Sequence, residues 1–157
     1  MTIKRPSHSP DDTFRIGVAL GRQLKGNELV LLKGELGAGK TLLTKGIASA
    51  LGIEPREIVS PTFTLVNEFR LSGSGDYQED LHFLHIDLYR LGPSITGGLP
   101  EIDDNLHEAV IVVEWAQFLN PAYFKLTHSI EITLHLEKNE DNSRTLEINT
   151  SLDYITI

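Results

Sequence analysis

One stretch of this chain restricts its fold more than any other. Gly34-Glu35-Leu36-Gly37-Ala38-Gly39-Lys40-Thr41 matches G-x-x-x-x-G-K-[ST], the Walker A pattern, at every fixed position. Such a loop works only between a buried strand and the first turn of a helix. Its glycines let the backbone wrap closely round an anion, so that successive N–H groups point inward. The Lys reaches the outer phosphates, and the Thr hydroxyl ligates the magnesium ion that travels with them. The flanks meet the requirement. Glu28 to Lys33 is a short apolar run typical of a buried strand, and Leu42 to Leu51 places Leu42, Leu43, Ile47, Ala50 and Leu51 in a helical pattern. The competing reading, a glycine-rich turn without a ligand, leaves this order of strand, loop and helix unexplained.

The rest of the chain supplies the frame. Ser9-Pro10-Asp11-Asp12 predicts a helix start, with Ser as N-cap, Pro in the first turn and acids at the positive end of the dipole. Ile16, Leu20 and Leu24, with Phe14 and Val18, give that helix an apolar face, and Gly26 can end it. Residues 62–69 and 83–90 read as strands, with Leu71 to Asp80 as a mobile hairpin connection. A short acidic helix is expected near Glu101 to Leu106. Val110 to Val113 is continuous enough for a central strand buried on both faces. Alternating Ile130, Ile132, Leu134 and Leu136, then Leu146 and Ile148, predict a C-terminal hairpin turning at 139–143. Together these give a three-layer α/β nucleotide hydrolase fold, one domain over residues 1–157, whose central sheet is mixed because 62–69 and 83–90 are joined by a short loop.

Composition narrows the function. The formal charge of −8 argues against direct, charge-driven nucleic-acid binding, which needs clustered Lys and Arg. Any link to RNA is expected to run through a partner protein. Cysteine is absent, so disulfides and thiolate metal sites are excluded. No apolar stretch approaches a membrane span and the first ten residues lack a signal-peptide core, so a cytoplasmic location is expected.

Several residues outside the loop are candidates for chemistry. Glu114 directly follows the apolar run 110–113, where a second, metal-side acid is needed; a surface carboxylate ending a strand is the plainer reading. His82 and His85 fall on opposite faces of their strand and could not share one ion, whereas His85, Asp87 and Tyr89 share a face. Asp87 could position a water, stabilise a loop or contact magnesium through water, or be a structural salt-bridge residue. Thr62 and Thr64 precede a strand and follow the nucleotide helix, where switch segments approach a γ-phosphate. Trp115, the one Trp in the chain, is a core residue by default, with nucleotide or partner contact as the alternative. No Asn-Lys-x-Asp stretch provides guanine selectivity. From Thr41 to Asn139 the cations are Lys45, Arg56, Arg70, Arg90, Lys125 and Lys138, too few for the Arg-rich lid of a small-molecule kinase.

Four segments, the Walker loop, Ser60-Pro61-Thr62-Phe63-Thr64-Leu65-Val66, His85-Ile86-Asp87-Leu88-Tyr89-Arg90-Leu91 and Val113-Glu114-Trp115, occur in the order and spacing of one family. The chain resembles the bacterial TsaE (YjeE) ATPases of tRNA threonylcarbamoyladenosine biosynthesis. That resemblance implies an ATPase, slow alone, that cycles two related partner proteins transferring a threonylcarbamoyl group to adenosine 37 of tRNA. It implies ATP and Mg2+ as cofactors. Gly34 to Thr41 and Leu42 would hold phosphates, with Lys40, Asp87 and Glu114 in the catalytic site and Thr41 and Glu114 on magnesium. Thr62 and Thr64 would form the switch-like segment, and Asp11 would lie by the adenine. Ala116 stands where the family often has Pro. Two alternatives remain open at this point: a non-hydrolysing, ATP-dependent docking module and a small-molecule kinase.

Overall fold

The computed structural model describes residues 1–60, 65–71, 80–94, 97–138 and 143–157. One seven-stranded sheet organises them, in the order β1-β7-β6-β2-β5-β4-β3. The strands are β1 (Thr2–Ser7), β2 (Leu29–Lys33), β3 (Val66–Leu71), β4 (Leu81–Asp87), β5 (Ala109–Glu114), β6 (Ser129–Leu136) and β7 (Arg144–Thr150). The centre, β6-β2-β5-β4, is parallel; β3 runs antiparallel to β4, β7 to β6 and β1 to β7. The sheet is therefore mixed, as the short link between the strands at 62–69 and 83–90 requires.

Alternation along β2 divides the core. Val30 and Leu32 face α1 (Pro10–Gly21) and α2 (Lys40–Ala50), among Leu20, Leu43, Ile47 and Val112. Leu29 and Leu31 face the opposite layer, among Ile86, Ile111, Ile102 and Ala116. That second layer is built from the one-turn helix α3 (Pro100–Asp103) and 3-10 turns at Ala116–Phe118 and Pro121–Lys125. Ser9 caps α1 by accepting the Asp12 amide at 3.1 Å.

Some boundaries differ from the sequence expectation, each for a physical reason. The edge strand β1 is unexpected: Thr2-Ile3-Lys4-Arg5-Pro6-Ser7 has little apolar signal, and only its pairing with β7 makes it a strand. Pro6 is tolerated at a sheet edge because no ladder partner needs its missing N–H. Helix α1 ends at Gly21, before Gly26, and it buries Thr13, Gly17, Leu20 and Gly21 where a broad aliphatic stripe was expected. Gly17 and Gly46 let α1 and α2 touch backbone to backbone; a Cβ on Gly46 would lie 2.2 Å from the Phe14 carbonyl oxygen. Strand β4 stops at Asp87 because its carboxylate accepts the Tyr89 amide at 3.0 Å, turning the chain. Tyr89 therefore sits on the turn and does not continue the face of His85 and Asp87. Among the described residues, no helix is long and apolar enough to cross a membrane.

Candidate nucleotide-binding site

Between β2 and α2 the loop Gly34–Gly39 turns tightly, with Gly37 at φ +80° and Gly39, the N-cap of α2, at φ +105°. Gly39 brings no capping side chain, so the first N–H groups of α2 are left facing the loop cavity. Lys40 is 5 % exposed, and its Nζ donates to the carbonyl oxygens of Gly34 (2.7 Å) and Glu35 (2.8 Å). The same ammonium lies 4.0 Å from the centroid of the Trp115 ring. Burial pulls the Lys40 ammonium below the ordinary lysine range, against the opposing charges of Glu114, Asp87 and Glu35.

The sheet brings distant residues to this loop. Glu114 ends β5, in register with Leu32 of β2 on one side and Asp87 of β4 on the other. It is almost wholly buried, and each carboxylate oxygen has a separate partner. Oε1 accepts the Thr41 hydroxyl at 2.7 Å, and Oε2 pairs with His85 Nε2. His85 is fully buried beside Phe83, and its Nδ1 has no hydrogen-bond partner among the described residues. His82 instead pairs with Glu68, so the two histidines do diverge. After Glu114 the chain enters the left-handed region at Trp115 (φ 59°), unusual for so large a residue. This turn lays its ring over Lys40, 4.9 Å from the Tyr89 ring and stacked on Phe118 at 5.8 Å.

A cavity of about 690 Å³ opens over the loop, within the usual size of ligand pockets. Leu36, Gly37, Gly39, Lys40, Thr41 and Leu42 line one wall, and Asp87, Glu114 and Trp115 another. Gly34 contributes its carbonyl to Lys40, Glu35 likewise, and Ala38 is buried beneath the loop. Asp11 lies exposed on the first turn of α1, outside that lining. Thr62 and Thr64 lie outside the described residues, though Ser60 reaches the cavity. Arg144, at the start of β7, also lines it, and so do Tyr89 and Arg90. Sequence reasoning passed over Arg144 because a cation count from Thr41 to Asn139 stops short of it; the alternation that places β7 beside β6 was the available signal. Among the described residues, no three His, Asp or Glu side chains cluster as a protein-only metal site. A hydroxyl and one carboxylate converging beside a phosphate loop fit magnesium that takes its other ligands from phosphates and water.

A parallel-centred sheet with a glycine loop between its central strand and a helix defines a P-loop α/β protein. A crystal structure of Bacillus subtilis YdiB superposes with a TM-score of 0.68 at 25 % identity, covering 98 % of this chain and 88 % of that one. The family model described as "Threonylcarbamoyl adenosine biosynthesis protein TsaE" matches residues 7–146. The tRNA threonylcarbamoyladenosine biosynthesis protein TsaE of Aquifex aeolicus is 34 % identical over 143 residues, spanning 89 % of this chain and 90 % of that protein. The protein of the same name from Nostoc sp. is 35 % identical over 143 residues, spanning 88 % and 80 %. The chain belongs to the TsaE family.

Proposed function

We propose that this protein is the ATP-binding and ATP-hydrolysing component of the cytoplasmic system that makes tRNA threonylcarbamoyladenosine, acting as one P-loop domain on two related threonylcarbamoyl-transfer proteins. The observation that carries this reading is the hydrogen bond from Thr41 to Glu114, which brings the loop hydroxyl and the strand carboxylate to one point beside Lys40. The names of the family and of its relatives supply the pathway.

In this reading the amides of the loop and of the α2 N-terminus bind the phosphates, and Lys40 exchanges its contacts with the Gly34 and Glu35 carbonyls for phosphate oxygens. Magnesium, held through Thr41 and Glu114, would neutralise charge on the outer phosphates. His85 holds the Glu114 carboxylate in place from behind. Asp87, level with Glu114 on the neighbouring strand, accepts a hydrogen bond from the attacking water and orients it. Lys40 stabilises the charge that develops as the terminal phosphate is displaced. The Trp115 ring shields Lys40 from solvent.

The test is ATP hydrolysis by the chain with magnesium, alone and with the two transfer proteins of the same pathway. Stimulation by the partners that disappears in Lys40→Ala supports the reading. Tight ATP binding with no turnover under either condition rejects hydrolysis and leaves an ATP-dependent docking module.

A further inference from the structure

Arg144 stands out once the loop is accounted for. It is 9 % exposed, its Nε has no hydrogen-bond partner, and it forms no ion pair among the described residues. Yet its guanidinium lines the loop cavity, with Nη1 3.2 Å from where a Cβ on Gly39 would stand. Thr13 closes the same corner: it is fully buried, its Cγ2 lies 3.5 Å from that point, and its hydroxyl meets Ser7 Oγ at 2.7 Å. A buried guanidinium with no carboxylate is costly, more so beside Lys40 and the positive end of α2. Three positive features facing one cavity favour an anion, and the planar fork of Arg suits phosphate oxygens.

The sheet order says which end of a nucleotide this group meets. Glu114 is on β5, directly beside β2, while β7 lies beyond β6 on the other side of β2. Arg144 and Glu114 therefore flank the loop from opposite sides. The Thr41–Glu114 side is where magnesium and the outer phosphates belong, which leaves Arg144 the inner end. We infer that Arg144 is a second anion-binding group of the site, contacting the phosphate nearest the nucleoside, and is not an arginine finger for the terminal phosphate. This deepens the proposed function and rests on it.

The experiment is calorimetric titration of the full chain with Mg-ATP and with Mg-ADP, for the wild type, Arg144→Ala, Arg144→Gln and Arg144→Lys. Losing a charge-assisted contact is expected to weaken ADP and ATP by the same factor, about 10- to 100-fold, with Arg144→Lys recovering part of it. A loss confined to ATP would make Arg144 a terminal-phosphate group and overturn the inference, as would affinities within about 2-fold of wild type for both nucleotides. Thermal melts identify any unfolded variant, and Arg144→Lys and Arg144→Gln carry the comparison if Arg144→Ala does not fold. If the wild type itself binds neither nucleotide, the proposed function and this inference fall together; wild-type binding with indifferent variants removes the role of Arg144 alone.

Discussion

The hydroxyl of Thr41 donates a 2.7 Å hydrogen bond to the carboxylate of Glu114, although the two residues are 73 positions apart. One is in the first turn of α2 and the other ends β5, and they meet because β2 and β5 are parallel neighbours whose C-terminal ends open on the same side. Ligands of open α/β sheets bind at those carboxyl ends. With a single bond of this kind, removing either partner should disturb the same function. Glu114→Ala and Thr41→Ala are each expected to lower partner-stimulated ATP turnover by about 10²-fold or more while leaving the fold intact. Steady-state phosphate release, with circular dichroism as a control, checks this; turnover near wild type in both variants would make the pair structural.

His85 is expected to act through Glu114. Removing it leaves a buried carboxylate with only the Thr41 hydroxyl, so His85→Ala should cost about 3–5 kcal/mol of stability. His85→Asn retains a donor group near Oε2 and should fold, with kcat reduced about 10- to 100-fold and ADP affinity little changed. A variant with lowered ADP affinity and normal kcat would place His85 on the nucleotide instead.

The crossing of α1 and α2 depends on glycine. A Cβ at Gly46 would sit 2.2 Å from the Phe14 carbonyl oxygen and 2.9 Å from the Gly17 Cα. Backbone atoms on both sides leave little room to relax, so Gly46→Ala should destabilise by about 3 kcal/mol, lowering Tm by roughly 6–12 °C. Gly97→Ala is the control, since a Cβ there meets nothing within 4 Å; its Tm should stay within about 2 °C of wild type.

Alkaline pH should loosen the C-terminus first. Glu28, 1 % exposed, accepts the amides of Lys25, Gly26 and Asn27 and the Tyr154 hydroxyl, the last at 2.6 Å. Burial, with the Glu28 hydrogen bond and charge, raises the Tyr154 phenol well above its ordinary value of 10.0, and burial also raises Tyr123. In the folded protein these phenols keep protons that the unfolded chain gives up. Their stabilisation is therefore complete below pH 10 and is lost as pH rises above it toward the folded-state values. Melting temperature followed from pH 8 to 11.5 should fall at the alkaline end, less steeply in Tyr154→Phe. An identical alkaline slope in that variant would exclude Tyr154 as a source.

Much of the fold was legible because it is written locally. The apolar run of β2, the glycine loop, the Ser9 cap and the alternation of β6 and β7 are each complete within a few residues. Strand β1 was not legible: its pattern is weak, and what holds it is the ladder to β7, nearly the whole chain away. The inward face of α1 was misjudged for a related reason. Glycine carries no hydrophobic signal, and its value lies in the helix it allows to approach.

For the site, the sequence by itself determined the chemistry on offer: a phosphate loop with Lys40 and Thr41, and an acid, Glu114, at the end of a buried strand. Only the tertiary structure decided how those groups are held. Which oxygen of Glu114 faces Thr41, that His85 takes the other, that Trp115 lies over Lys40 and that Arg144 turns toward Gly39 all depend on strand order and register. Short-range patterns record the conformation of a segment, whereas these contacts join segments whose proximity arises from sheet pairing, and a sheet pairing leaves no mark in either strand alone.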